Sequence, residues 1–405
     1  MFSLFEVKHK IVIFTQSPIS KAPRVVKEAN CLARNGYKIT VFSLWYDSTM
    51  VKNEVELLDE GIIYKAGIDI TNKNIKSAFH RVKRRLYRES TKILGTQSKH
   101  ALGYGYKEFL KKLKEEKADL YIGHEEMSLA LAKDLIEEGF KVGFDFEDFH
   151  SQDLLSKDRV YRPVKLLSSL ENFILHNASY CVTTSDSLAN QLAKEFNTNP
   201  PETVYNSFHR YNTDEPRIIS SHSNSLVWIS QVIGHGRGLE LLIEGISLSK
   251  LSYELTLIGK KDLEFCDLIS KSSPINLKLL FSDYIPSNRI ASELEKFDVG
   301  IAFEEKNPKS RDLTITNKVF HYLNSGLAIL ATNTSGQFEM AQKTKSVISL
   351  VLPDTFQICE NLEELFADRE KLEMRKKQSR FYGNEVFCFE NEELKILKLV
   401  WDVLA

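Results

Sequence analysis

Short apolar runs alternate along the chain with longer stretches of helical period. Residues 11–14 (Ile-Val-Ile-Phe) read as a buried strand. Residues 22–35 follow as an amphipathic helix, because Val25, Val26, Ala29, Leu32 and Ala33 recur at helical spacing. Gly36 ends that helix, and 38–44 read as the next strand, which completes a βαβ unit. The same pattern predicts strands at 61–65, 119–122, 141–145 and 180–184, and helices at 105–117, 127–138, 163–177 and 186–196. Strands that are apolar throughout and alternate with helices imply a parallel sheet covered on both faces.

Between 199 and 225 the chain turns polar, rich in Ser, Asn and His, and reads as a linker. A second alternation follows, with strands at 226–230, 254–258, 277–280, 299–303 and 328–332 and helices at 238–249, 287–296 and 316–325. Residues 391–405 form a last amphipathic helix with Leu394, Leu397, Val400, Trp401 and Leu404 as its apolar stripe. The expected fold class is therefore α/β, with two Rossmann-like, doubly wound domains facing a central cleft. The domains span 1–205 and 225–390, joined by a linker at 206–224. Ligands of such sheets sit at the carboxyl ends of the strands, so the cleft is the expected site.

Composition narrows the function classes. The chain has 405 residues with 54 Lys+Arg against 55 Asp+Glu, which excludes a globally basic nucleic-acid binder. Five scattered cysteines form no C-x-x-C pair and read as free thiols of a reducing compartment. No apolar run approaches the roughly 18 residues of a membrane span. The first strand begins almost at once, without a charged leader, so the expected location is the cytoplasm. One segment departs from this neutrality. In 73–92, eight cations (Lys73, Lys76, Arg81, Lys83, Arg84, Arg85, Arg88, Lys92) stand against Glu89, with Phe79, Val82, Leu86 and Ile93 at helical spacing. A basic amphipathic helix points to an anionic membrane or a polyanionic acceptor; the plainer alternative is a solvated helix face.

Chemistry-bearing residues follow the predicted strands. After the first strand, Thr15 to Arg24 forms a polar loop, with Ser17 among its polar side chains, into a helix whose N-terminus favours an anion and where Arg24 could add charge. It holds no G-x-G-x-x-G turn, which argues against an NAD enzyme. Gly123-His124-Glu125-Glu126 and Asp145-Phe-Glu147-Asp148-Phe-His150 end two further strands. These carboxylates and imidazoles suit a polyol or acid/base work. A metal held by Asp145, Glu147, Asp148 and His150 is the weaker reading, because the spacing selects no coordination geometry. In the second half, Gly234, Gly236 and Gly238 surround Arg237 between a strand and a helix, an arrangement that fits a diphosphate. Lys260 and Lys261 end the next strand. Asn317, Lys318 and His321 open a helix capped by Gly326, and the polar loop Thr332 to Gln337 follows.

In this order and in these halves, the chain resembles the GT-B glycosyltransferases, most closely the bacterial group 1 (family 4-like) enzymes. The resemblance rests on Ser17-Pro18 with Arg24, His124, Asp145, the 171–206 stretch, Gly234 with Arg237-Gly238, Asn317-Lys318 and Gly326, and it covers nearly the whole chain. It implies an acceptor-binding first domain, a nucleotide-sugar-binding second domain and a last helix that crosses back to the first. It implies no metal, because Arg237 with Lys260 or Lys261, helped by Lys318, neutralises the leaving diphosphate. His124 would then bond the transferred sugar, and Tyr284 and Ile285 would lie near the base. The implied donor is a UDP-, GDP- or dTDP-sugar. The acceptor is a glycan or lipid-linked molecule in bacterial surface polysaccharide synthesis; the charge run, with Arg84, Arg85 and Arg88, is the part of the chain that would meet an anionic membrane at its inner face.

One motif departs from the family pattern. Retaining relatives carry Glu-x7-Glu, the second Glu five residues before the helix-ending Gly, where this chain has His321. Leu313 stands eight residues earlier, leaving Glu304 or Glu305 for the first Glu's part. An inverting enzyme would need a base, for which Asp145, Glu147 or Asp148 could serve. The altered motif keeps two other readings open, a non-catalytic GT-B partner protein and a nucleotide-sugar epimerase.

Overall fold

The computed structural model describes residues 9–72, 74–211 and 224–405. Lys73 of the basic run and most of the expected linker lie outside the described residues. The chain divides into two compact units. The first comprises residues 1–184, 188–204 and 393–405, and the second 185–187 and 205–392.

The first unit is built on seven parallel strands: β1 (Lys10–Thr15), β2 (Lys38–Trp45), β3 (Ile63–Asp69), β4 (Leu120–His124), β5 (Val142–Phe146), β6 (Tyr180–Thr183) and β7 (Glu202–Thr203). Their order is β3-β2-β1-β4-β5-β6-β7. The chain builds outward from β1 on one side, then returns to β4 and builds the other. The switch point therefore lies between β1 and β4, and the loops leaving those strands open on the crevice. Both strands consist almost wholly of buried residues, as the continuous apolar runs require. β3 begins and ends later than the expected 61–65. It is an edge strand with only Gly67 and Ile68 buried, so it carries no continuous apolar run to read.

The second unit repeats the plan with β8 (Asn224–Ile233), β9 (Tyr253–Lys261), β10 (Leu277–Ser282), β11 (Val299–Ala302), β12 (Ala328–Thr332) and β13 (Ile348–Val351), in the order β10-β9-β8-β11-β12-β13. Successive residues of β8 serve opposite faces. Leu226 and Trp228 pack with Leu239, Leu242 and Phe265, while Val227 and Ile229 pack with Val319, Phe320 and Tyr322. β8 outruns the expected 226–230 because an irregularity between Ile229 and Val232 carries the pairing on to Ile233. The switch point here lies between β8 and β11, so the loops after those strands hold the crevice.

Two expectations are corrected. The polar loop Thr332 to Gln337 is shorter than read. Thr334 caps a helix (Ser335–Thr344), its hydroxyl accepting from the Gln337 amide, so Ser335 to Gln337 are that helix's first turn. The last helix (Phe389–Leu404) buries Ile396 and Val400, whereas Leu394 is 67% and Trp401 63% exposed. The covered face is rotated from the expected stripe, because a helix carrying apolar residues on several sides does not reveal which side its neighbour takes.

Candidate functional site

In the first unit the chemistry gathers at the carboxyl ends of β1, β4 and β5. His124, the last residue of β4, is fully buried. Its Nε2 lies 2.7 Å from Glu28 Oε2 and its Nδ1 3.1 Å from Glu147 Oε1. Burial alone would push the imidazole down. Hydrogen bonds to Glu147 and Glu28 outweigh it and lift the ring to about 10, so both nitrogens carry protons and donate. Arg24, in the helix Pro23–Arg34, donates from Nε and Nη2 to Asp145 Oδ2 at 2.9 and 2.6 Å, and from Nη1 to the Val204 carbonyl at 2.9 Å. Burial pushes Asp145 up to about 6 against the pull of Arg24 and His124. Burial also acts to raise Glu147, but its hydrogen bond to His124 holds it below the usual range. Lys27 is drawn down to about 7 by burial and by the charge of Arg24.

Two loops are tied across this site. Thr15 Oγ1 donates to Glu125 at 2.5 Å, and the Met127 amide donates to the Gln16 side chain at 2.7 Å. Glu125 holds a φ of 67°, a strained value for a residue with a side chain, directly after His124. Donor atoms of His124, Asp145 and Glu147 lie within 4.8 Å of one another, close enough for a cation. They do not fit one as they stand. Both imidazole nitrogens are protonated toward carboxylates, and Arg24 already covers Asp145. His150 stands apart from this pairing. It is buried, its Nε2 has no partner among the described residues, and burial takes it down to about 4.

In the second unit the site forms around Glu304, two residues beyond β11. Glu304 is buried and receives Lys318 Nζ at 2.5 Å on one oxygen and Arg237 Nη1 at 3.1 Å on the other. Thr332 fixes its backbone through bonds of 2.8 and 2.7 Å. Burial would raise Glu304, but Lys318 and then Arg237 hold it below the usual range. Burial lowers Lys318 against the pull of Glu304. Arg311 adds a third cation, 3.9 Å from Glu305. Gly236 and Gly238 both take positive φ, and Gly238 caps the helix Leu239–Ser247. The φ of 71° at Gly238 favours glycine in this strand-to-helix turn, and a Cβ there would also crowd Phe303 at 3.2 Å.

The remaining residues singled out in the sequence fall at these loops with varied surroundings. The Ser17 amide turns back to Thr15 at 3.3 Å, and Asp148 follows Glu147 half-buried. Gly234 starts the turn after β8. Lys260 and Lys261 end β9 exposed, the latter 3.8 Å from Asp283. Tyr284 is exposed, while Ile285 packs on the core beside β8. Asn317 accepts from Asn206 at 3.0 Å. His321 stacks on Phe208 with ring centres 3.8 Å apart. Glu28 is the residue that sequence reasoning passed over. Its signal was its spacing, four residues after Arg24, in a run of Val25, Ala29 and Leu32 that is otherwise apolar.

Two Rossmann-like units, each with polar chemistry at its switch point, define the GT-B architecture. Solved structures share it over nearly the full length. Sucrose-phosphate synthase from Thermosynechococcus elongatus superposes with a TM-score of 0.71 at 14% identity, covering 98% of this chain and 99% of that one. Anabaena HepE in complex with UDP-glucose gives 0.68 at 11%, covering 97% and 100%. WaaG, a glycosyltransferase involved in lipopolysaccharide biosynthesis, gives 0.63 at 12%, covering 96% and 99%. No family model matches the sequence, and no curated protein matches it. The chain thus has the fold of the GT-B, group 1 glycosyltransferases.

Proposed function

We propose that this protein is a metal-independent glycosyltransferase. It moves a sugar from a nucleotide-sugar donor to a glycan or lipid-linked acceptor, in the synthesis of a bacterial surface polysaccharide or glycoconjugate. The observation that carries this reading is the excess of cations around Glu304. Arg237 and Lys318 share that one carboxylate, and Arg311 stands beside them. These three cations, against Glu304 and Glu305, border the glycine turn of Gly234, Gly236 and Gly238. Such a site suits a diphosphate, whose charge grows as the bond to the sugar breaks. HepE is described with UDP-glucose and with UDP, which supports a UDP-sugar as the first donor to try.

On this reading the second unit takes the donor, with Arg237, Lys318, Lys260 and Lys261 toward the diphosphate and Tyr284 and Ile285 toward the base. The first unit takes the acceptor. His124 acts there as a fixed cation and hydrogen-bond donor rather than as a base, because Glu28 and Glu147 keep both its protons in place. Asp145, raised by burial to about 6 and covered by Arg24, and Glu147 are the carboxylates this reading assigns to receive an acceptor proton. The helix Ile75–Leu94 adds a place for a lipid-linked acceptor. It exposes Ile75, Phe79, Val82, Leu86, Ile93 and Leu94 among its Lys and Arg residues, as a peripheral helix on an anionic cytoplasmic membrane face does. Among the described residues no helix is long and apolar enough to cross a membrane.

Calorimetry with UDP, GDP, CMP and dTDP and their common sugars tests the reading. One nucleotide family binds, and Arg237→Ala weakens it by about tenfold or more in a chain that remains folded, because Lys318 still pairs with Glu304. If none binds, a non-catalytic partner takes its place. If a bound nucleotide sugar is isomerised with no acceptor present, the protein is an epimerase.

A further inference from the structure

Beside its exposed apolar stripe, the helix Ile75–Leu94 borders a pocket of about 240 Å³. Arg81, Arg84, Arg85 and Arg88 line it, together with Glu89, Tyr104 and Tyr161. Four guanidiniums thus face one carboxylate, and two of the pairs stand at i,i+4, where like charges repel. Aromatic rings hold these cations in place. Arg84 lies 4.7 Å over Tyr104, Arg88 5.7 Å over Tyr161 and Arg81 5.1 Å over Tyr46. Lys92 adds a further charge, 4.7 Å over the Tyr161 ring, and donates to its hydroxyl at 2.8 Å. The Nε of Arg84 is buried and has no partner among the described residues. A buried donor with nothing to bond is costly unless a ligand supplies the acceptor. Arg162 feels the same field, since burial and then the charges of Arg88 and Arg84 pull it down to about 10.

We propose that this pocket binds a phosphoryl group carried by the acceptor. Arginine forks match paired phosphate oxygens, and Tyr104 and Tyr161, which line the pocket, each carry a hydroxyl that can donate. The inference rests on the transferase reading above and gives its acceptor a chemical class. The placement agrees with it. Arg162, next to Tyr161, is ion-paired with Glu126, the first residue of the helix after β4. His124 ends β4, so the pocket wall is one ion pair away from the polar network of the same unit.

Methyl phosphate, titrated at low salt into the full chain carrying Arg237→Ala, tests the proposal with the donor site weakened by one of its cations. Phosphorus NMR is expected to show saturable binding at one site. Arg84→Gln with Arg88→Gln weakens it at least tenfold. Arg85→Gln, at an exposed position where folding is not at risk, weakens it several-fold. If phosphatidic acid vesicles bind in preference to phosphatidylglycerol vesicles and methyl phosphate displaces them, the phosphate belongs to a lipid headgroup. If methyl phosphate binds and vesicles show no such preference, it belongs to a soluble acceptor. Binding that does not saturate, or that the arginine variants leave unchanged, overturns the proposal. UDP-sugar binding by the chain with Arg237 intact is measured separately, so a failure of the donor reading is not mistaken for a failure of the pocket.

Discussion

Two buried histidines of the first unit are driven in opposite directions by their neighbours. His124 faces Glu28 and Glu147 and is lifted from an ordinary 6.5 to about 10, whereas burial takes His150 to about 4. The signs of their stability effects follow from linkage. The folded state binds the His124 proton more tightly, so that contribution is full below about 6.5 and disappears as pH rises through about 10. The His150 contribution is full above about 6.5 and disappears as pH falls through about 4. Imidazole NMR shifts are expected to report His124 as doubly protonated throughout pH 6 to 9, with thermal melts that fall by several degrees between pH 7 and 10. A His124 midpoint near 6.5 would refute the carboxylate clamp. At this scale the sequence showed which residue types stood after which strands: His124 and Asp145 could be placed because they lie at the carboxyl ends of predicted strands, and Arg24 because it opens the helix after the first one. It did not show that Glu28 closes the clamp, because that contact joins residues 96 positions apart.

Elements were legible where burial made them regular. β1, β4, β5 and β12 are buried along nearly all their length and stand within a residue or two of their expected bounds. Edge strand β3 was read early, because its pattern is set by one neighbour rather than two. The helix Ile75–Leu94 inverts the usual amphipathic rule. Its buried residues are Ser77, His80 and Thr91, and its large apolar side chains face outward. Replacing Phe79 and Leu86 by Ser is therefore expected to leave the melting temperature within a degree or two, since surface changes fall within about 0.5 kcal/mol. The same change is expected to cut partitioning onto phosphatidylglycerol vesicles by about tenfold or more in co-sedimentation. Unchanged partitioning would return the helix to a plain solvated face.

For the whole molecule, the chain leaves the first unit, builds the second, and returns its last residues to the first. Ile396 and Val400 are buried there, Lys395 donates to the Thr203 carbonyl at 2.9 Å and Lys141 to the Val403 carbonyl at 2.7 Å. Removing residues 393–405 is expected to cost the first unit about 3 kcal/mol or more, from two buried aliphatic side chains at roughly 1.5–3 kcal/mol each. Hydrogen exchange should then speed up in β5 to β7 and leave β8 to β12 protected. Equal loosening of both sheets would mean that the tail holds the second unit too. By itself the sequence determined two parallel α/β units and the loops that carry their chemistry, because hydrophobic period and strand-end position are local properties. Tertiary structure alone decided the pairings: Glu28 on His124, Glu304 between Arg237 and Lys318, the rotated face of the last helix, and the arginine pocket with its tyrosine walls. Those depend on which distant segments the fold brings within a few ångströms, and a one-dimensional pattern carries no such distances.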